Sequence, residues 1–453
     1  MSDNLVIVVP GIMGTVLRRG QVPLWDTSVS AMLRNLTTFA SFTEQLRLPE
    51  DLGDAEPEPP YVLEYGELLR GWHVWPGKWI GGGYHEFVNW LHKRFPAHRR
   101  VVEFGYDWRL SIRLNAARLS DFTRTSLDEW RLLSGRPDAR AVLVCHSMGG
   151  LIARYYVNCL GDDHRVARIV TLGTPFAGSV NTVRTLVGGV RLVPDSLIET
   201  MLTFPSVRQL LPTFRCVRTP TGMQAIGSSG LPGISSQMIQ DAFTLRAESA
   251  PHPDAPPTVV LGGSRHSTIA GVQLAPDCLV FHHTWLESSE DGRYIEVDHG
   301  GDATVPRFAA VPSEWDDDSA AQFVSTRHSR LVNDEALRHR VADAVDGLDP
   351  RAFLDRENSF GLDLPDVASA SETVLVRAFA DREDLRLSVE VRDLRGNVLS
   401  DCSGRPLNAD GAGGYLAELR LPEGVWNVEA VLSGTPEVRS GDVIVVAPGS
   451  SRR

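Results

Sequence analysis

The chain has 453 residues, 42% hydrophobic and 23% charged, which is a globular composition with material for a large domain and a smaller one. Its formal net charge of -12 excludes nucleic acid as the main partner and a polybasic hold on anionic membranes. The five cysteines (Cys145, Cys159, Cys216, Cys278 and Cys402) are scattered, with no C-x-x-C pair, so no disulfide frame, metal or cofactor is expected.

The opening "MSDNLVIVVPGIMG" sets an acidic residue before a core-like strand and lacks a basic leader, which reads as a cytoplasmic protein. No apolar window of about 18 residues predicts a spanning helix. Residues 22–83 then form a first insertion, with the Pro/Glu-rich "DAEPEPP" and the Trp-dense "GWHVWPGKWIGGG". The strand "RVVEFGYD" follows, and residues 112–133 place Ile112, Ala116, Leu119, Phe122, Leu127 and Trp130 on one helical face. "RAVLVCHS", "RIVTLGTP", "PTVVLGG" and "AAQFVST" are further apolar runs bounded by Gly, Pro or Ser. Such runs suit buried parallel strands, and their alternation with helices predicts an α/β fold. A second insertion, residues 180–257, interrupts them, and insertions into such a sheet commonly cover ligands.

Beyond about residue 366 the pattern changes to period two with close turns, in "ETVLVRAFA", "LRLSVEVRD", "GNVLS", "GYLAELRL", "VWNVEAVLS" and "DVIVVAP". This predicts a small all-β sandwich over residues 367–448, after a catalytic domain over residues 1–360. Sandwiches of this kind often mediate recognition. Removing this one is therefore expected to leave catalysis intact and to cost a protein partner.

The chemistry centres on "AVLVCHSMGGLIARYY". It is a nucleophile elbow, G-x-S-x-G, with Cys145 in place of the first glycine. Ser147 sits between strand and helix, where it reads either as a nucleophile or as the helix cap. An activated serine needs a base, and the base needs an orienting carboxylate, in the chain order Ser, acid, His. Asp302 in "DHGGDATVP" and His328 in "STRHSRL" satisfy that order. Asp298 and His299 compete with Asp302 by proximity, whereas His282 and His283 break the order. The oxyanion hole is expected from the backbone N–H groups of Met148, after the nucleophile, and Ile12, in "VVPGIMGT".

Taken together, "VIVVPGIMGTVL", "FGYDWRL", "CHSMGGLIARYY", "TLGTPFAGS", "GGDATVP" and "RHSRL" resemble, in order, the lecithin:cholesterol acyltransferase-like family. That family includes lysosomal phospholipase A2 and phospholipid:diacylglycerol acyltransferases. The resemblance implies an α/β-hydrolase with lid insertions, a metal-free Ser147–Asp302–His328 triad, and Ile12 and Met148 in the oxyanion hole. It makes "YDWR" (Tyr106 to Arg109) a mainly structural signature with an Asp–Arg pair near the site. It likens the region from Trp25 to Trp79 to a lipid-contacting insertion and residues 180–257 to a lid. On that reading Trp25, Trp72 and Trp75 bind substrate or touch a membrane surface; the bland alternative is aromatic packing. The secreted relatives' signal peptide and disulfide are not found here.

The expected activity is a serine-dependent acyl hydrolase or acyltransferase on ester lipids. The alternatives are a carboxylesterase for small non-lipid esters, or an idle hydrolase scaffold that binds partners through the C-terminal domain.

Overall fold

The computed structural model describes residues 3–26, 44–69, 83–161, 163–188, 195–228, 230–276, 278–289, 293–348, 360–365, 367–380, 384–393, 396–409, 414–434 and 438–446. Trp72, Trp75 and Trp79 lie outside them.

Six short strands build the central sheet: β1 (Leu5–Val9), β2 (Val101–Glu103), β3 (Ala141–His146), β4 (Val166–Leu172), β5 (Thr258–Gly263) and β6 (Gln322–Val324). They pair in the order β6-β5-β4-β3-β1-β2, all parallel. A parallel sheet must be covered on both faces, and β1 shows how one strand feeds both. Leu5, Ile7 and Val9 enter one apolar cluster, while Val6 and Val8 enter another.

The first cluster packs under α2 (Ile112–Ser134), α3 (Met148–Cys159) and α6 (Ser236–Glu248). The second packs under α1 (His85–Arg94) and α7 (Glu335–Val345). The layers are those of an α/β-hydrolase. Helix α2 follows its predicted face, with Ser111 Oγ accepting from Leu114 N–H at 3.1 Å and left-handed Gly135 ending it. Its Phe122 stays half-buried and packs on Phe104.

Within residues 180–257 the chain forms α4 (Val180–Leu186), α5 (Asp195–Leu202), a hairpin of Arg215–Thr219 with Gly222–Ala225, and then α6. From the first insertion, Val22–Trp25 and Glu64–Leu68 flank Thr15–Arg19 in a small antiparallel sheet.

The C-terminal strands are β7 (Phe360–Asp363), β8 (Val367–Ser369), β9 (Val374–Ala380), β10 (Leu387–Asp393), β11 (Arg405–Ala409), β12 (Gly414–Leu419), β13 (Gly424–Leu432) and β14 (Val438–Val446). Their order is β7-β9-β12-β11-β10-β13-β14-β8, and β11 pairs with both β12 and β10, so the sheet turns over at β11. Alternate residues such as Val374, Val376 and Ala378 meet Val389, Val391, Val428 and Ala430 in one core. This is the small all-β sandwich.

Two details differ from the strand pattern read in the sequence. "GNVLS" makes only the single bridge Arg392↔Val398, because Asp393 closes a turn by accepting from Asn397 N–H at 2.8 Å. "RPLNA" is the strand instead, although Pro406 carries no ladder donor.

Candidate active site

The carboxyl ends of the parallel strands converge, which is where open α/β sheets hold ligands. Ser147 leaves β3 with φ 53 and ψ -125, a conformation that a residue other than glycine adopts only when its surroundings impose it. Those surroundings are specific. Ser147 N–H donates to Leu172 O at 2.9 Å, and its carbonyl accepts from Thr174 Oγ1–H at 2.9 Å and Gly150 N–H at 3.0 Å. The side chain makes no capping bond to α3. Instead the hydroxyl lies 2.9 Å from His328 Nε2.

Cys145 is fully buried in the core under the sheet, so the position usually held by the first glycine has room for a thiol here. Burial pushes that thiol's pKa up and keeps it unreactive. The later glycine of the motif has no such latitude. A methyl at Gly149 would stand 2.6 Å from the carbonyl oxygens of Val9 and Pro10.

His328 begins the short helix that follows β6, and its Nδ1 lies 2.7 Å from Asp302 Oδ2. The other carboxylate oxygen accepts the N–H groups of Thr304 at 2.9 Å and Val305 at 2.7 Å. His328 N–H also donates to Asp302 O at 2.8 Å, so backbone as well as side chain ties the two residues together. Asp302 and His328 are 1% and 3% exposed, and in so dry a setting their hydrogen bond fixes which ring nitrogen faces Ser147. The competing residues are engaged elsewhere: His299 lies 2.9 Å from Glu287, and Asp298 accepts from Gly300 N–H.

Of the two expected oxyanion donors, Met148 follows Ser147 in the chain and Ile12 lines the same cavity. Met148 is the first residue of α3, where backbone N–H groups have no partner within the helix. Its side chain is buried in the core, which leaves the amide as the group able to act. Ile12 lies in the turn after β1, closed by Gly14 N–H to Gly11 O at 3.1 Å with Met13 at φ 64. Trp25 braces this turn by donating its indole N–H to Met13 O at 2.9 Å, and it stacks edge-on against Trp108.

Above Ser147 opens a cavity of about 200 Å³, lined by Ile12, Met13, Trp25, Leu69, Met201, Val207, Leu210 and Val332, with Asn181, Thr182 and Thr185 of α4 as its polar edge. Ser147 and His328 both face it, and so does Trp25. Among the described residues no group of acidic, histidine or cysteine side chains could hold a metal ion.

Several residues of the site carried no role in the motif reading. Gly173, in "TLGTP", has φ 63, and a methyl on it would stand 3.0 Å from both Asp302 Oδ2 and His328 Nδ1. His146 and Tyr84 form a buried pair, His146 Nδ1 to Tyr84 Oη at 2.8 Å, with the His146 ring beside that of His328. The glycine could have been suspected from its motif. Tyr84 could not, since nothing local marks it. The Asp107–Arg109 pair of "YDWR" is buried, 2.6 Å apart, and holds structure together instead of facing the cavity.

A family model described as lecithin:cholesterol acyltransferase matches residues 77–225 of the chain. The family resemblance of the motifs is thus borne out over the stretch that holds Ser147 and Met148; Ile12, Asp302 and His328 lie outside it. Among solved structures, Bacillus licheniformis lipase BlEst2 in its mature form is similar over 73% of this chain and 86% of its own, at 13% identity and a TM-score of 0.30. Phospholipase PlaB from Legionella pneumophila is similar over 80% of this chain and 89% of its own, at 12% identity and a TM-score of 0.27. No curated protein matches the chain.

Proposed function

We propose that the protein is a serine-dependent acyl hydrolase or acyltransferase acting on ester lipids. The observation that carries this reading is the aligned row Ser147 Oγ, His328 and Asp302, at 2.9 and 2.7 Å, on the floor of an apolar cavity. The match to the lecithin:cholesterol acyltransferase family supports a lipid ester as substrate.

In this mechanism His328 Nε2 takes the Ser147 proton as Oγ attacks the acyl carbonyl. Asp302 holds the imidazole by its Nδ1–H and stabilises the positive charge that forms. The tetrahedral oxyanion rests on the Ile12 and Met148 N–H groups; losing one such donor typically costs about 10²–10³ in kcat. The alcohol then leaves with the proton from His328, and an acyl-Ser147 ester remains. Water gives hydrolysis and a second alcohol gives transfer, with His328 as base in either case. Ile12, Trp25, Leu69 and Met201 offer an acyl chain apolar contact but no charge. Trp72 and Trp75 belong to this proposal only as residues of the same insertion.

Mass spectrometry after fluorophosphonate treatment tests the reading. One adduct on Ser147 is expected, absent in Ser147→Ala and strongly slowed in His328→Ala. A series of esters of rising acyl length should then show a preference for long chains. A preference for the shortest esters moves the assignment to a small-ester carboxylesterase. No adduct, even with detergent present, leaves the scaffold reading.

A further inference from the structure

The nucleophile row does not stand alone: a second row of buried groups, Gly11, Tyr84 and His146, lies beside it at the wall of the same cavity. Gly11 N–H donates to Tyr84 Oη at 2.7 Å. Tyr84 Oη lies 2.8 Å from His146 Nδ1, and His146 Nε2 lies 3.0 Å from the carbonyl oxygen of His328. The proton positions follow from the partners. A carbonyl only accepts, so His146 carries its hydrogen on Nε2. Tyr84, already accepting from Gly11, gives its own hydrogen to Nδ1. Every donor then points one way, from the turn that presents Ile12 to the backbone of the base.

We infer that Tyr84 and His146 are positioning residues that couple the oxyanion turn at Gly11–Ile12 to His328, holding both in register with Ser147. This role rests on the acyl-transfer reading above. Gly11 immediately precedes the Ile12 donor, so its bond to Tyr84 restrains the turn that presents that N–H. His146 lies next to the nucleophile in the chain, and its ring is 4.9 Å from that of His328. Such closeness demands a neutral imidazole, because His328 becomes cationic in every acylation and a second charge there would oppose it. Burial and the neighbouring His328 hold His146 far below its ordinary range, at about 3, so it is neutral at neutral pH.

The test compares Tyr84→Phe, His146→Leu and His146→Gln in the full chain, with activity divided by fluorophosphonate-titrated Ser147. That division removes any loss that comes from misfolded protein. Tyr84→Phe and His146→Leu should each lower kcat per titrated site about tenfold, a fraction of what loss of a whole oxyanion donor costs, with KM within about twofold. His146→Gln keeps a neutral N–H toward the His328 carbonyl and should recover most of the loss. Wild-type kcat per site in both Tyr84→Phe and His146→Leu would overturn the positioning role and leave the hydrolase reading standing. A wild-type protein that takes no adduct on Ser147 would overturn both.

Discussion

At the scale of single residues, His146 shows how a site spends stability. His146 is 4% exposed, and burial first, then His328, depresses its pKa to about 3 from an ordinary 6.5. Below pH 6.5 the unfolded chain takes up a proton that the folded one refuses. Folding is therefore undisturbed by this group above pH 6.5 and loses ground as pH falls from there toward 3, at up to about 1.4 kcal/mol per pH unit. His146→Gln removes that proton uptake. Denaturant midpoints at pH 7 and pH 4.5 should show a smaller acid loss in the variant than in the wild type; equal losses would mean that His146 is not held neutral. The elbow itself was legible from residues alone, since small residues between a strand and a helix admit few conformations. The replacement at Cys145 was tolerable for the same reason: that side chain points into the core, whereas the Gly149 Cα faces backbone oxygens.

At the scale of elements, the "YDWR" turn after β2 fixes the first insertion. Arg109 gives hydrogen bonds to Asp107 Oδ1 at 2.9 Å and Oδ2 at 2.6 Å, to Leu46 O at 3.1 Å and to Tyr61 O at 3.0 Å. Both partners of the ion pair are at most 1% exposed, so removing one strands a charge without water. Arg109→Ala should cost about 3–5 kcal/mol of stability, measured as a urea midpoint. Arg109→Lys should not restore it, because an ammonium lacks the planar fork that reaches these four acceptors. An unchanged midpoint in Arg109→Ala would contradict the clamp. The pair was foreseen as structural, but its carbonyl partners 48 and 63 residues away were not, because backbone oxygens leave no mark in a sequence.

At the scale of the whole molecule, the C-terminal sandwich touches the loop that carries His328. Arg327 Nη2 donates to Asp363 Oδ1 at 3.2 Å and to Leu364 O at 2.7 Å, and Arg330 Nη1 donates to Ser440 Oγ at 2.7 Å. These two arginines flank His328. These contacts make Arg327 and Arg330 the place to test the expectation that loss of the sandwich leaves catalysis intact. The double variant Arg327→Ala, Arg330→Ala should lose about 1.5–3 kcal/mol for each charged hydrogen bond removed, and kcat should fall with it. If stability falls and kcat per titrated Ser147 does not, the sandwich braces the fold without touching catalysis. Among the described residues no helix is long and apolar enough to cross a membrane.

The sequence by itself determined what short-range constraint can write: the buried strands, the apolar face of α2 and the small-residue turn between β3 and α3 that holds Ser147. Each depends on neighbours a few residues away, and there periodicity and small residues carry the information. Tertiary structure alone decided which distant groups share a hydrogen. Tyr84 meets Gly11 and His146 across 73 and 62 residues, and Arg330 meets Ser440 across 110. Such pairs follow from how layers pack, and a tyrosine that will turn inward has the same local pattern as one that will not.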